Sequence, residues 1–145
     1  MKSKLFALFC AALLLLTGCA PEPTDDFVDY EWVEPPAVEG LTLQTEFAEY
    51  DGNLEMIGLV YASDYCDQRF GFDHTFRLQK KVRDEWKPIK VRYEEISLSN
   101  SYLVLKNAGT ITLNLKDHVK LPLLPGHYRI WIGTYEQVSA EFDVK

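Results

Sequence analysis

The last eight residues set the terms for the fold: Val138, Ala140, Phe142 and Val144 alternate without a break with Ser139, Glu141, Asp143 and Lys145. A period of two puts every apolar side chain on one side of an extended backbone, so this stretch specifies a strand with one buried face. The same alphabet recurs upstream. Leu41, Leu43, Thr45 and Phe47 alternate with polar neighbours, and the turn cluster Asp51-Gly52-Asn53 precedes residues 54–62, which are apolar on both faces and suit a central strand. Residues 75–81 and 86–89 flank Val82-Arg83-Asp84-Glu85 and predict a hairpin. Residues 102–106 and 110–115 flank Asn107-Ala108-Gly109, with Ile111, Leu113 and Leu115 on one face. Residues 64–73 read as an irregular loop that holds Cys66, Phe70 and Phe72. No stretch after the first 18 residues carries a useful helical period. About seven to nine short strands separated by turn signals, with no alternation of strand and helix, predict an all-β antiparallel sandwich.

The N-terminus predicts an address. Lys2 and Lys4 precede an apolar run over residues 5–16, only 12 residues long, whereas a spanning helix needs about 20. This is the layout of a cleaved export signal. The run ends in Leu16-Thr17-Gly18-Cys19, which resembles the lipobox of bacterial lipoproteins. That resemblance implies cleavage between Gly18 and Cys19, a diacylglyceryl group on the Cys19 thiol, and a new amino end open to a further fatty acid such as palmitate. The expected organisation is a lipoprotein signal peptide over residues 1–18, a lipidated, acidic and Pro-rich linker over 19–39, and one domain over 40–145.

Charge separates the linker from the domain. Without the leader the chain has 13 basic and 22 acidic residues, and seven of the acids fall within residues 20–39, where there is no Lys or Arg. From Gly40 onward the two signs nearly balance. With Pro21, Pro23, Pro35 and Pro36 among those acids, the linker reads as a mostly disordered stalk of about 60 Å when extended. Phe27, Tyr30 and Trp32 are unusual for a stalk and are expected to dock on the domain or on a partner. The absence of a basic stripe argues against a nucleic-acid partner. Of three cysteines, Cys10 leaves with the leader and Cys19 is committed to lipid, so Cys66 has no partner within the chain and is expected to be buried as a small hydrophobe.

A second resemblance lies in the domain. Leu124-Pro125-Gly126-His127-Tyr128-Arg129-Ile130 followed by Ser139-Ala140-Glu141-Phe142, together with Phe76-Arg77-Leu78-Gln79-Lys80-Lys81 and Glu85-Trp86-Lys87-Pro88-Ile89, resembles the bacterial immunoglobulin-like domains of small lipoproteins. The resemblance implies an Ig-like sandwich outside the cytoplasm, with Pro125 and Gly126 introducing Tyr128 as a tyrosine corner. It implies no activity, because such sandwiches host many functions.

The sequence offers little to chemistry. There is no Gly-x-Ser-x-Gly elbow, and Ser63, Ser97, Ser99, Ser101 and Ser139 have no obvious base beside them. Asp64, Cys66, Asp67, Asp73 and His74 crowd one loop but lack paired metal-ligand spacing. Adjacent carboxylates, Asp25-Asp26 and Glu94-Glu95, point to opposite sides of an extended chain. The expectation is therefore no catalytic residue, no metal and no cofactor. If Tyr128, Ile130 and Ile132 face the core, then His127, Arg129, Trp131 and Tyr135 face outward. This row is either covered, by cross-strand neighbours or by the segment around Trp32, or open to a partner through its aromatics and Arg. The expected function is a non-enzymatic binding or accessory module, lipid-anchored to the outer leaflet of the cell membrane, serving envelope proteins or cell-wall components. Ala20 after Cys19 is compatible with outer-membrane sorting in a cell with two membranes or with ordinary retention in a cell with one, and the family resemblance favours the second. The rival is an extracytoplasmic protease inhibitor acting through the loops of the same scaffold.

Overall fold

The computed structural model describes residues 25–29, 32–92 and 101–145. The leader with Cys10 and Gly18, the lipidation residue Cys19, and Tyr30, Glu94, Glu95, Ser97 and Ser99 lie outside the described residues.

Two sheets face one another. The smaller one has the order β1-β3-β8, built from β1 (Leu41–Thr45), β3 (Met56–Ser63) and β8 (Ala108–Asn114), all antiparallel. The larger one contains β2 (Glu49–Tyr50), β5 (Phe76–Val82), β6 (Glu85–Ile89), β9 (Gly126–Ile132) and β10 (Val138–Val144), in the order β2-β10-β9-β5-β6. A short ribbon pairs β4 (Arg69–Gly71) with β7 (Tyr102–Val104). The described chain is thus all-β, an Ig-like sandwich of ten strands, more than the seven to nine expected because β2, β4 and β7 are only two or three residues long.

The alternation does what it predicts. Val138, Ala140, Phe142 and Val144 are buried while Glu141 and Asp143 are exposed. β3 runs centrally between β1 and β8, and its inward residues are Ile57, Leu59 and Tyr61. These meet Leu113 and Leu115 from one side and Leu78, Ile130 and Phe142 from the other in one core, the close-packed interior from which most of the stability comes. The hairpin closes through Arg83-Asp84, with Val82 opposite Glu85 and Arg83 at φ 59°.

Two local expectations differ. The loop over residues 64–73 is not wholly irregular: β4 within it pairs with β7 and the loop buries Phe70 and Phe72, while Ala108 and Gly109 begin β8 instead of separating two runs. Phe47 falls beyond the end of β1 and is 58% exposed.

The larger correction concerns the stalk. Over residues 25–29 and 32–39 the acidic segment lies along the domain. Phe27 bridges to Ile89, while Val28 N–H donates to the Pro88 carbonyl and Lys90 N–H to that of Asp26, which adds a short antiparallel piece outside β6. The chain then crosses the outer face of the larger sheet, where Trp32 and Glu34 reach β9. Self-repulsion among acids sets the behaviour of a free chain, but a buried salt bridge, an edge-on aromatic pair and a bidentate ion pair act against it here.

Candidate functional site

β9 brings the row named from the sequence onto the outer face of the larger sheet, where register places Arg129 between Gln79 and Glu141, and Trp131 between Arg77 and Ser139. The row is not an open face. Arg129 and Trp131 are buried, at 6% and 5% exposure, and their cover is the acidic segment. Trp32 packs edge-on against Trp131, centroid to centroid 5.0 Å. Glu34 accepts two hydrogen bonds from the Arg129 guanidinium.

Under that cover the polar groups are satisfied. Gln79 Oε1 accepts from Arg129 Nε at 3.1 Å, Arg129 Nη2 at 3.0 Å and Trp131 Nε1 at 3.0 Å. The guanidinium also lies 4.4 Å from the Trp86 ring centroid and 4.8 Å from that of Trp131. A buried guanidinium is tolerated because its donors are used and its faces are stacked.

His127, at the start of the row, stays partly exposed. Its Nδ1 lies 2.8 Å from Asp143 Oδ1 and its Nε2 2.8 Å from Glu141 Oε2, with the Trp86 ring 5.5 Å away. The hydrogen bonds to Asp143 and Glu141 raise its pKa above the ordinary imidazole value.

On the inner side of β9, Tyr128 is fully buried and donates to the Leu124 carbonyl at 2.6 Å, the tyrosine-corner bond. Its hydroxyl is also 3.2 Å from Asp25 Oδ1, and Asp25 Oδ2 accepts from Lys80 Nζ at 2.5 Å. Burial, and then the Asp25 carboxylate, push the Tyr128 hydroxyl well above its usual pKa. Gly126, at φ +154°, has no Cβ where the Lys80 side chain passes; one built there would stand 2.5 Å from Lys80 Cε. Pro125 lies exposed just before it.

Tyr135 belongs elsewhere. It sits beyond the end of β9, is 91% exposed, and stands at the rim of a groove of about 510 Å³ lined by Arg69, Asp73, Arg77, Ser101 and Tyr102 among others. Trp131 and Phe76 form apolar parts of the lining. On the other side of Tyr135, residues Pro35–Glu39 help line a second hollow of about 320 Å³ with Tyr65 and Gln68. Gly133 makes this geometry possible: it is at φ +110°, and a Cβ there would stand 2.0 Å from the Glu136 carbonyl oxygen. Nothing in strand periodicity pointed to this groove: Arg69, Arg77 and Tyr102 come to it from β4, β5 and β7, and Tyr135 from beyond the end of β9.

A family model for bacterial Ig-like domains matches residues 37–143. The chain belongs to that family. The match begins within the acidic segment, two residues before Glu39, so this Ig-like domain includes part of the stretch read as linker. No curated protein matches the chain at a significant level. Among solved structures, a β-glucosidase, EmGH1 from Erythrobacter marinus, overlaps at 17% identity over 73% of this chain and 15% of that one, with a TM-score of 0.37. At that score the overlap carries nothing about activity.

The remaining candidates of the Ig-like domain are dispersed. Cys66, expected to be buried, is exposed, because the β4–β7 pairing turns the inside of that loop over to Phe70 and Phe72. Asp73 Oδ1 accepts from the Thr75 hydroxyl at 2.5 Å and from its N–H at 3.1 Å, and His74 packs 4.7 Å from Phe72. Among the described residues no three His, Cys, Asp or Glu side chains converge as a metal site would require. Asp25 and Asp26 do point apart, to Lys80 and to Arg92.

Proposed function

We propose that this Ig-like chain is a non-enzymatic binding or accessory module, lipid-anchored outside the cytoplasm, that serves envelope proteins or cell-wall components. The observation that carries the reading is the combination, in one chain, of Leu16-Thr17-Gly18-Cys19 after a short apolar run and a bacterial Ig-like domain over residues 37–143. The first supplies an anchor of fatty acyl chains. The second supplies a rigid scaffold that presents exposed Tyr65 and Tyr135 on loops and Tyr102 on β7, the residue type most used for contacts at low entropic cost.

Docking of the acidic segment changes what such an anchor does. A free stalk over residues 20–39 would reach about 60 Å. With Asp25 held by Lys80, only the six residue steps from Cys19 to Asp25 remain, which span no more than about 20 Å. The domain is then a near-surface module.

Cys19→Ser tests the location. In intact cells the native chain should take up labelled palmitate and fractionate with membrane, while Cys19→Ser should do neither. Full membrane retention of the variant would defeat the anchor. Crosslinking on intact cells should then recover envelope proteins or wall fragments.

A further inference from the structure

We propose that the groove beside Tyr135 binds a carboxylate-bearing glycan strand. The proposal rests on the envelope reading for the source of such a strand, and on the groove itself for its chemistry.

Size comes first. About 510 Å³ falls within the roughly 300–1,000 Å³ of small-ligand sites and suits one or two sugar rings. Two flat rings border it, those of Tyr102 and Tyr135, at 49% and 91% exposure. The face of an aromatic ring carries negative potential and attracts the C–H-lined face of a pyranose. The lining also supplies Thr134 and Gln137, side chains that both donate and accept, as sugar hydroxyls and acetamido groups do, while Thr75, whose hydroxyl donates to Asp73, is left as an acceptor.

Charge then selects among glycans. The chain carries −7 overall, yet this groove holds Arg69 and Arg77 against the single carboxylate of Asp73. Among the described residues neither guanidinium makes a hydrogen bond or an ion pair. Each lies over a ring instead, Arg69 at 4.3 Å from the Tyr102 centroid and Arg77 at 5.3 Å from that of Trp32. Stacking occupies the face of a guanidinium and leaves its N–H edge available, the edge that takes a carboxylate in bidentate fashion. Arg129 shows the contrast: its edge is already filled by Glu34 and Gln79.

An extended peptide fits less well. Peptides that dock on sheets add a strand to an open edge, and β5 and β9, which carry Phe76, Arg77 and Trp131 into the groove, are each paired on both sides. β4 and β7, which carry Arg69, Gly71 and Tyr102, pair only with each other, and the acidic-peptide arm of the test covers that edge.

The test uses the purified full chain in detergent, titrated with three probes and followed by NMR shifts. The probes are the N-acetylglucosamine–N-acetylmuramic acid disaccharide with its free lactyl carboxylate, chitobiose, which keeps the sugar backbone without the carboxylate, and tetraglutamate. The acidic disaccharide should shift the resonances of Tyr102, Thr134 and Tyr135 and bind about tenfold tighter than chitobiose. Tyr135→Ala and Arg77→Gln should each weaken it about tenfold, with Tyr135→Ala keeping the native melting temperature. Equal binding of the two sugars, binding unchanged in both variants, no binding of either sugar, or tetraglutamate binding as tightly as the acidic disaccharide would overturn the proposal. The last result would put an acidic peptide in the groove. Because binding is measured on purified chain, its failure leaves the anchor reading standing, and membrane retention of Cys19→Ser leaves the groove standing.

Discussion

Glu34 and Arg129 meet edge to edge, with Arg129 Nη1 donating to Oε1 at 3.0 Å and Nη2 to Oε2 at 3.1 Å. The pair joins the acidic N-terminal segment to the middle of β9. It is asymmetric: the Arg129 side chain is 8% exposed and that of Glu34 57%. Screening of the exposed partner limits the pair, so Glu34→Gln should cost only about 1 kcal/mol in denaturant melts. Arg129→Ala should cost more, about 2–3 kcal/mol, since it also strips Gln79 Oε1 of two donors and empties the space beside Trp86 and Trp131. A double-mutant cycle should return a coupling near 1 kcal/mol; strict additivity would mean that the segment is not held here.

Trp32 covers Trp131, and its removal should be visible in fluorescence. Trp32→Ala leaves Trp86 and Trp131 as emitters, and opening the 5% exposed Trp131 to water should move emission to the red and raise acrylamide quenching. The expected stability loss is about 1–2 kcal/mol, from lost apolar burial and one edge-on aromatic pair. Emission unchanged in position would argue that something else covers Trp131.

Asp25 and Lys80 form the most buried ion pair among the described residues, at 8% and 11% side-chain exposure. Removing one partner strands a charge in a poorly solvated place, so Asp25→Leu or Lys80→Met alone should each destabilise by about 3 kcal/mol. The double variant should recover much of that loss, because two apolar side chains need no partner. Equally damaged single and double variants would mean that packing, not charge, sets the effect.

His127 links stability to pH. Its pKa is raised in the fold, first by hydrogen bonds to Asp143 and Glu141, so the native state binds the proton more tightly than the unfolded chain does. The stabilisation is fully present below the unfolded value of about 6.5 and is lost as pH rises through the folded value. A titration followed by the His127 ring resonances should show a midpoint above that of a free imidazole. His127→Gln should flatten the fall in stability above neutral pH; an unchanged slope in that variant would assign the effect to another group.

Cys66 is a free, exposed thiol on the loop before β4. A maleimide should label it in the native chain about as fast as in denaturant, and protection of more than tenfold would place the side chain inside. Cys66→Ser should leave the melting temperature unchanged, as for most exposed substitutions.

Much of this arrangement was written locally. The alternation over residues 138–145 and the hairpin at Arg83-Asp84 follow from a backbone whose side chains alternate every residue, so neighbours alone decided them. β3 was legible as a strand, but being apolar on both faces it had its inward row, Ile57, Leu59 and Tyr61, chosen only by the packing of the two sheets. The Tyr128 corner was implied by the family resemblance, and it too is local, since its acceptor, Leu124, is only four residues away. The fate of the acidic segment was not. Its composition describes a repelling, Pro-rich chain, yet Glu34 lies 95 residues from Arg129 and Tyr128 lies 103 from Asp25. Such contacts have no periodicity to betray them; they exist because the folded sheet sets a buried guanidinium and a buried ammonium within reach of the Glu34 and Asp25 carboxylates. For the same reason the sequence could name Arg129 and Trp131 as one outward row with Tyr135, while the folded chain alone decided that the first two are covered and the third stands at the mouth of a groove.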